Sequence, residues 1–395
     1  MNRSLLGLSL LLAVSLPAPA HAAIGDTAAR LAGSEGVVYV VDAAGAVLVA
    51  HNADRAFVPA STLKVVTTLL AAETMGLDAR FATEFWVDGG RLVVRGQGDP
   101  FLVSEELDLL VAALAPKLVG QTLAGVTVDD SWFSDHIKVP GVTATTEPYD
   151  ALNSATAVNF NTINVLVQDG VVSSAETQTP ITPLAVEVAK RQGIRSASRI
   201  NIGKNVQDAR RYAGELIAAK LRGAGVVIGE SVTNGAAPAS PPLHRHETSR
   251  TLGDVCQAML LYSNNYIANQ VFLAIGAHEL GAPATLEKSV QVAQEFVAAH
   301  PELTGIAMVE GSGISYDNRG TAASFDAALR LFSPHRALLK VRAESPHKTG
   351  TLTIAKTLVG YAPTQTHGEV RYVIMLDGSG TQRRWDLLEA IKQEL

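Results

Sequence analysis

The stretch that decides the fold is Pro59–Lys64, Pro-Ala-Ser-Thr-Leu-Lys, which places Ser61 and Lys64 three residues apart. Pro59 is a helix start signal and leucines follow at helical spacing, so residues 61–75 are predicted to form a helix. Side chains three residues apart on a helix share a face. A lysine whose pKa is lowered by burial can remove the proton of a serine. Ser61 is therefore a candidate nucleophile and Lys64 its base, although Ser-x-x-Lys alone arises by chance about once in a chain of this length.

A second polar motif, Ser263-Asn264-Asn265, follows an amphipathic helical stretch. A serine and an asparagine two residues apart can point into one cleft, where they offer a proton shuttle and an amide donor. Polar pairs after a helix are usually caps or turns, so this motif is weak evidence when taken alone.

A third motif, Lys348-Thr349-Gly350-Thr351, is predicted to open a strand. Lys348 supplies a cation, and the hydroxyls of Thr349 and Thr351 can bind a carboxylate. Gly350 has no side chain and lets a substrate backbone approach the strand edge. The plainer interpretation is a turn into an edge strand.

The three motifs occur in a fixed order and in matching structural contexts, which is the signature of class A β-lactamases and penicillin-binding proteins. Four more segments narrow the choice of family: Arg95–Pro100, Val128–Phe133, Val158–Asn161 and Glu310–Ser315. Together they resemble the D-alanyl-D-alanine carboxypeptidase/endopeptidase family. These are class C low-molecular-mass penicillin-binding proteins of the PBP4 (DacB) type, peptidase family S13, and the resemblance runs across nearly the whole chain after the leader.

The resemblance implies a role for each motif residue. Ser61 would be the acylated nucleophile and Lys64 its general base, and the backbone N–H groups of Ser61 and Thr351 would form the oxyanion hole. The other roles implied are proton transfer and substrate-amide binding by Ser263 and Asn265, and carboxylate binding by Lys348, Thr349, Gly350 and Thr351. No metal or organic cofactor is implied. The expected partners are peptidoglycan stem peptides ending in D-Ala-D-Ala, with β-lactam antibiotics as covalent inhibitors.

Two positions concern recognition of the substrate side chain. The family commonly has an arginine after Gly-Leu-Ser in the fourth segment, whereas this chain has Tyr316 there. Asp129, or its neighbour Asp130, is a candidate for binding a cationic group of the stem peptide. Carboxylates beside a strand end are more often solvated or capping groups, which is the competing interpretation.

Composition and the N-terminal segment bear on location. The chain has 395 residues and a net charge of −6, which provides no basic surface for nucleic acid. Residues 1–22 contain the apolar run Leu5–Leu16 followed by Ala-His-Ala, which predicts a signal peptide. No later segment is long and apolar enough to span a bilayer, so we expect no transmembrane anchor after signal removal. Peripheral membrane contact stays open, and the expected location is periplasmic or otherwise extracytoplasmic.

The order of predicted elements gives the domain organisation. Strands are predicted at Val37–Val41 and Ala46–Ala50 near one end, at Thr351–Ala362 and Val370–Leu376 near the other, and a final helix follows. Residues 23–83 and 243–395 are predicted to form one penicillin-binding domain of the α/β (α+β) transpeptidase fold, shared with serine β-lactamases. In that fold an antiparallel sheet is flanked by helices. Residues 84–242, rich in short strand-like runs and turns, are predicted to be an inserted β-rich domain.

Three functions remain to be compared. The leading one is a serine-type D-Ala-D-Ala carboxypeptidase, with or without endopeptidase activity. The second is a serine β-lactamase, disfavoured because a large insertion has no role in hydrolysing a small antibiotic. The third is a non-catalytic peptidoglycan-binding protein that keeps the fold, disfavoured because such a scaffold would not need every motif residue.

Overall fold

The computed structural model of the chain describes residues 20–143 and 145–395. The predicted signal peptide, residues 1–22, lies outside the described residues except for 20–22, which belong to the first helix. Among the described residues, no helix is long and apolar enough to cross a membrane.

The helices are α1 (Ala20–Ala32), α2 (Leu63–Thr74), α3 (Ser104–Leu114), α4 (Pro183–Arg191), α5 (Val206–Gly223), α6 (Leu252–Tyr262), α7 (Asn265–Leu280), α8 (Leu286–Ala299), α9 (Ala322–Phe332) and α10 (Arg383–Glu394). The strands are β1 (Val37–Val41), β2 (Val47–His51), β3 (Ala82–Asp88), β4 (Arg91–Gly96), β5 (Thr122–Asp129), β6 (Thr162–Gln168), β7 (Val171–Ser174), β8 (Ser198–Asn201), β9 (Val227–Asn234), β10 (His244–Glu247), β11 (Lys340–Arg342), β12 (Ser345–Thr351), β13 (Ala355–Pro363) and β14 (Glu369–Asp377).

Both ends of the sequence build one six-stranded antiparallel sheet, in the order β11-β12-β13-β14-β1-β2. Strand β1 joins the two halves because it pairs with β14 on one side and β2 on the other. Successive side chains of a strand point to opposite faces, so Val37 and Val38 enter different apolar clusters. One cluster covers the sheet with α2, α6, α7, α8 and α9, and the other covers it with α1 and α10. The predicted antiparallel sheet flanked by helices is confirmed.

The predicted strand Thr351–Ala362 is wrong in its extent. The chain ends β12 at Thr351 and turns before β13 begins at Ala355, and the Leu352 N–H donates to the Ala355 carbonyl across that turn (2.9 Å). Lys348 accordingly lies inside β12 and does not open a strand. Leu352 and Ile354 continue an apolar alternation through the turn, and no glycine or proline marks it in the sequence.

The middle of the chain forms a second unit with its own apolar core. It contains a five-stranded sheet in the order β10-β3-β4-β5-β9 and a three-stranded sheet in the order β7-β6-β8. Helices α3, α4 and α5 contribute to the same core as these strands. The unit therefore has three helices in addition to the predicted short strands.

Strand pairing indicates where this unit meets the rest of the chain. Strand β10 pairs antiparallel with β3, with His244 opposite Phe85 and Glu247 opposite Ala82. Boundaries at 83/84 and 242/243 would divide that sheet. We propose that the inserted unit runs from about residue 82 to residue 247.

The inserted unit packs against α7 through a small apolar cluster and buried hydrogen bonds. Phe133 and Ile137 from the insert share a cluster with Leu273 of α7. Asn153 Nδ2 donates to Gln270 Oε1 (2.8 Å), and Gln270 Nε2 donates to a carbonyl of the insert (2.7 Å). These contacts position α7, whose first residue belongs to the second sequence motif.

Candidate active site

Ser61 lies in the 3-10 turn Ala60–Thr62, which leads directly into α2. Ala60 has a φ of +50°, which is uncommon for a residue other than glycine. The carbonyl of Pro59 accepts a hydrogen bond from Thr357 Oγ1 of β13 (2.9 Å). The main sheet thus holds the turn, and the Ser61 side chain stays half-buried at its surface.

Two glycines let neighbouring elements pack closely on that turn. A Cβ at Gly313 would lie 1.9 Å from the Ala60 carbonyl oxygen. A Cβ at Gly350 would lie 2.9 Å from Ala60 Cβ and from the Pro59 carbonyl oxygen, and 2.1 Å from Thr357 Oγ1. Such separations are far shorter than van der Waals contact. Gly350 of the third motif is therefore required for packing of β12 against the serine turn, whatever else it contributes.

Lys64 is completely buried and reaches the serine. Its Nζ lies 2.9 Å from Ser61 Oγ, 2.7 Å from Asn265 Oδ1 and 2.7 Å from the Ser312 carbonyl oxygen. Burial lowers the pKa of Lys64 well below its ordinary value; the nearby cation of Lys348 lowers it further, and Glu310 opposes the shift. The lowered pKa favours the neutral amine over the ammonium form, and a neutral amine can accept the serine proton.

Ser263 and Asn265 come from the junction of α6 and α7. Ser263 ends α6 with a φ of +54°, and the side chain of Asn264 caps α7 by accepting from the Ile267 N–H (3.0 Å). Asn265 is then the first residue of α7. This sharp junction turns both motif side chains toward the lysines, since Ser263 Oγ contacts Lys348 and Asn265 Oδ1 contacts Lys64.

Lys348 lies in β12 and is almost fully buried, with 2% of its surface exposed. Its Nζ donates to Ser263 Oγ (2.8 Å) and to the Thr349 carbonyl (2.8 Å). Burial lowers the pKa of Lys348 to about 7, with further lowering by the cations of Arg384 and Lys340. The Lys348 amine therefore loses its proton at a lower pH than an ordinary lysine does.

The edge of β12 beside Lys348 is open. Strand β11 pairs only with Ser345–His347, so among the described strands residues 348–351 have no partner on that side. Thr349 is half-buried and Thr351 is exposed at this edge. An extended peptide could add to such an edge through main-chain hydrogen bonds.

Five predicted residues are therefore brought together from the serine turn, α2, the α6–α7 junction and β12: Ser61, Lys64, Ser263, Asn265 and Lys348. The arrangement contains a hydroxyl nucleophile, a buried amine in contact with it, and a second amine joined to a second hydroxyl. Those groups can carry out acyl transfer with proton movement on both sides of the reacting carbonyl.

Sequence reasoning missed Glu310, which organises the loop beside Lys64. Its buried carboxylate accepts from the backbone N–H groups of Ser312 (2.7 Å) and Gly313 (2.6 Å) and from Asn318 Nδ2 (2.7 Å). The loop so held presents the Ser312 carbonyl to Lys64. The segment Glu310–Ser315 carries part of the family resemblance, but nothing in the sequence indicates that Glu310 is buried.

Sequence reasoning also missed Arg384, at the start of α10. Its side chain reaches the carbonyl of Gly350 from behind β12 (2.8 Å). No motif surrounds this residue in the sequence, and its position depends on how the last helix packs on the sheet.

Asp129 and Asp130 are buried inside the inserted unit. Asp129 accepts from the backbone N–H groups of Ser131 (3.0 Å) and Ala237 (2.7 Å). Asp130 accepts from the Thr156 N–H (2.7 Å), and burial raises its pKa to about 6. Both carboxylates bond to the backbone of their own unit, which favours a structural role for them over substrate binding.

Tyr316 is 46% exposed, and its carbonyl accepts a hydrogen bond from Arg319. It follows the loop organised by Glu310, but its side chain is not among the hydrogen-bond partners of Lys64 or Lys348. A role in side-chain recognition stays a prediction.

The two histidines of the His-Arg-His sequence in β10 make packing and hydrogen-bond contacts within the inserted unit. His244 stacks on Phe85, and His246 Nε2 lies 2.7 Å from Glu106 Oε1. Across residues 20–143 and 145–395, no group of three or more metal-ligating side chains is placed to hold a metal ion.

Comparison with known proteins gives a family match and several similar folds. The sequence profile of the D-Ala-D-Ala carboxypeptidase 3 (S13) family matches residues 21–199 and 192–346. A D-alanyl-D-alanine carboxypeptidase of Actinomadura sp. (strain R39) is 25% identical over 420 residues, covering 87% of this chain and 77% of that protein.

Two solved structures share the fold. Penicillin-binding protein 4 (DacB) of Haemophilus influenzae superposes with a TM-score of 0.71 at 18% identity, covering 90% of this chain and 93% of that one. The same protein has been solved in complex with a β-lactam. A predatory peptidoglycan endopeptidase of Bdellovibrio bacteriovorus superposes with a TM-score of 0.53 at 18% identity, covering 90% of this chain and 92% of that one.

Proposed function

Because this chain belongs to the D-Ala-D-Ala carboxypeptidase 3 (S13) family, we propose that it cleaves stem peptides through an acyl-enzyme on Ser61. It is a D-Ala-D-Ala carboxypeptidase, a hydrolase of the bacterial cell wall. The observation that carries the assignment of the nucleophile is the 2.9 Å contact between Ser61 Oγ and the buried, pKa-lowered amine of Lys64.

In the first step, neutral Lys64 accepts the proton of Ser61 as Oγ attacks the carbonyl carbon of the penultimate D-Ala. The bond from Oγ to carbon forms while the carbonyl π electrons move onto oxygen. The resulting oxyanion is stabilised by the backbone N–H groups of Ser61 and Thr351, which lie on the serine turn and at the open edge of β12.

In the second step, the tetrahedral intermediate expels the terminal D-Ala. The leaving amine receives, through the Ser263 hydroxyl, the proton that Lys64 took from Ser61, so Lys64 becomes neutral again. Ser263 Oγ contacts Lys348 Nζ at 2.8 Å. Neutral Lys64 then takes a proton from water as the water oxygen attacks the ester carbon. The same proton passes to Ser61 Oγ when the ester C–O bond breaks, which releases the shortened peptide and restores Ser61. Atoms and charges balance with one water consumed and no cofactor in the sequence of steps.

Recognition of the substrate carboxylate falls to Lys348 and the two threonine hydroxyls of β12. The protonated amine of Lys348 provides a positive charge that is buried on the protein side. Charge-assisted hydrogen bonds of this kind are roughly twice as strong as neutral ones. We therefore propose a preference for peptides with a free C-terminal carboxylate.

We also propose that β-lactams acylate Ser61, because their strained amide presents a carbonyl and a carboxylate to the same groups. The β-lactam complex of the Haemophilus influenzae protein supports this proposal. Slow hydrolysis of the resulting ester makes them covalent inhibitors, whereas a serine β-lactamase would release them rapidly.

A DD-endopeptidase activity is a second proposal. A cavity of about 310 Å³ opens beside Ser263 and Asn265, bordered on the insert by Tyr149, Phe160 and Arg199. This space supports a leaving group larger than a single D-Ala, as in a peptide cross-link.

We propose a periplasmic or otherwise extracytoplasmic location, where peptidoglycan is found. The predicted signal peptide at residues 1–22 supports this location.

The test of the nucleophile is labelling with fluorescent penicillin, with Ser61→Ala compared against Ser196→Ala, a matched change at an exposed serine of the insert. We expect Ser61→Ala to abolish both labelling and D-Ala release, and Ser196→Ala to behave as wild type. Labelling of the Ser61 variant would show that another residue is acylated. Wild-type binding of muropeptides without any acylation would instead support the non-catalytic scaffold, and rapid nitrocefin turnover would support the β-lactamase.

Mass spectrometry of products from purified sacculi separates the two peptidase activities. Trimming of terminal D-Ala lowers the mass of monomeric muropeptides, whereas endopeptidase action converts cross-linked dimers into monomers.

A further inference from the structure

Arg384 lies behind the carboxylate-binding end of β12. It is the second residue of α10, and 7% of its surface is exposed. Its Nη1 donates to the carbonyl oxygens of Gly350 (2.8 Å) and Thr357 (3.2 Å), and to Thr351 Oγ1 (3.3 Å). One guanidinium nitrogen therefore binds both strands of the β12–β13 hairpin at the third motif.

The charge of Arg384 has no carboxylate partner in the part of the chain that the structure describes, residues 20–143 and 145–395. Its Nε is buried without a hydrogen-bond partner. The preceding residue behaves differently, because Arg383 pairs with Asp377 (2.8 Å) near the surface. A buried cation left unpaired is costly, so a purely structural role would be better served by a neutral side chain.

Gly350 pairs with Thr357 across β12 and β13, and the bond from Arg384 adds a second hold on the Gly350 carbonyl. The carbonyl of Gly350 and the N–H of Thr351 belong to one planar trans peptide and point in opposite directions. With the carbonyl held toward Arg384, the Thr351 N–H is left facing the open edge of β12. A cation on the carbonyl oxygen also polarises the peptide, which makes that N–H a stronger donor.

The bond to Thr351 orients a hydroxyl in the same way. Arg384 has donors only, so Thr351 Oγ1 acts as the acceptor in this contact. The hydroxyl hydrogen of Thr351 is thereby available to donate toward the cleft, where an anion would lie. Both effects of Arg384 turn donors toward the place where negative charge is bound or develops.

We propose that Arg384 is a positioning residue of the carboxypeptidase reaction. It holds the Gly350–Thr351 peptide and the Thr351 hydroxyl as donors, and its unpaired charge is balanced when the substrate carboxylate and the oxyanion occupy the cleft. This inference rests on the proposed acylation of Ser61.

The test compares Arg384→Met, Arg384→Lys and the control Arg383→Met on two peptides, one ending in D-Ala-D-Ala carboxylate and one with an amidated C-terminus. For Arg384→Met we expect kcat/KM on the carboxylate peptide to fall about 10²-fold, as for loss of an oxyanion donor. A fall of about 10-fold is expected on the amide peptide, because only the oxyanion effect remains there. Arg384→Lys should recover part of the loss, and Arg383→Met should stay near wild type.

A pH profile separates positioning from folding. The cationic groups around Lys348 come from three other elements: Lys64 of α2, Lys340 of β11 and Arg384 of α10. His347 precedes Lys348 in β12. Removing the charge of Arg384 leaves Lys348 protonated to higher pH, so the rise of KM at alkaline pH should move upward in Arg384→Met and stay in place in Arg384→Lys.

The inference would be overturned if Arg384→Met lost kcat/KM equally on both peptides, or if its pH profile were unchanged while its Tm fell. Either result would show that Arg384 only stabilises the fold. A wild-type acylation rate in Arg384→Met would do the same while Ser61→Ala remains unlabelled. Labelling of Ser61→Ala would instead overturn the proposed function, so the two failures are distinguishable.

Discussion

Buried charges are arranged differently in the cleft and in the inserted unit. In the insert, Lys220 pairs with Asp108, and Glu215 pairs with Arg211 (2.7 Å) while accepting from a helix N–H. In the cleft, Lys64, Lys348 and Arg384 form no ion pair with any described residue. The paired charges of the insert satisfy each other within the fold. In the cleft, Lys348 and Arg384 gain a negative partner when a substrate carboxylate binds, whereas burial favours the neutral form of Lys64.

The largest difference between the cleft and the inserted unit is expected for replacement of Lys64. We expect Lys64→Met to slow acylation by fluorescent penicillin by at least about 10³-fold, because Ser61 loses its base. The matched change Lys220→Met removes a buried lysine from the insert. It should leave acylation within about 2-fold and lower the free energy of unfolding by ~1 kcal/mol, because the partner Asp108 is largely exposed. Labelling rates measure acylation, and urea unfolding measures the free energy of unfolding. Fast labelling of Lys64→Met would show that the buried lysine of the cleft has no more effect on acylation than the buried lysine of the insert.

The next largest effect is expected at Lys348. Lys348→Met should lower kcat/KM on a D-Ala-D-Ala peptide about 10²-fold, mainly through KM, because the carboxylate loses its cation. A peptide with an amidated C-terminus should be affected much less. If both peptides lose equally, Lys348 acts on the chemical step and not on carboxylate binding.

The pH dependence of kcat/KM should reflect the protonation of both Lys64 and Lys348. Lys64 must be neutral to act, so acylation falls as pH drops through its lowered pKa. Lys348 must be protonated to bind the carboxylate, so KM rises as pH increases above about 7. In Lys348→Met the acidic limb should move to higher pH, since a cation that lowers the pKa of Lys64 is gone. Profiles of kcat/KM between about pH 5 and 9 provide the check, and an acidic limb that does not move would contradict the coupling.

The smallest effect on acylation is expected at the contact between insert and α7. Asn153→Ala removes the buried bonds to Gln270 Oε1 (2.8 Å) and to the Tyr266 carbonyl (3.1 Å). The free energy of unfolding should fall by about 1–3 kcal/mol, because buried partners lose their hydrogen bonds. Acylation should change by less than about 2-fold, since α7 keeps its apolar packing. A loss of acylation as large as that of Lys348→Met would mean that the insert itself sets the geometry of Asn265.

The motifs were predictable from sequence because each depends on local geometry. A three-residue spacing puts Ser61 and Lys64 on one helix face, and the apolar periodicity around them identifies α2 and the last helix. The alternating runs at both ends of the chain likewise predicted strands, and the sheet that joins them is confirmed. The turn at residues 352–354 was missed, because Leu352 and Ile354 carry the strand pattern through it.

What the sequence alone determined is the nucleophile motif, its two partner motifs and the family, since these depend on residue identity and spacing over a few positions. Only the tertiary structure decided that Lys64 and Lys348 are buried, that Glu310 organises the neighbouring loop, and that Arg384 lies behind β12. The physical reason is that burial and charge balance depend on contacts between segments hundreds of residues apart. The pKa values that make the cleft reactive arise from that packing and not from any local pattern.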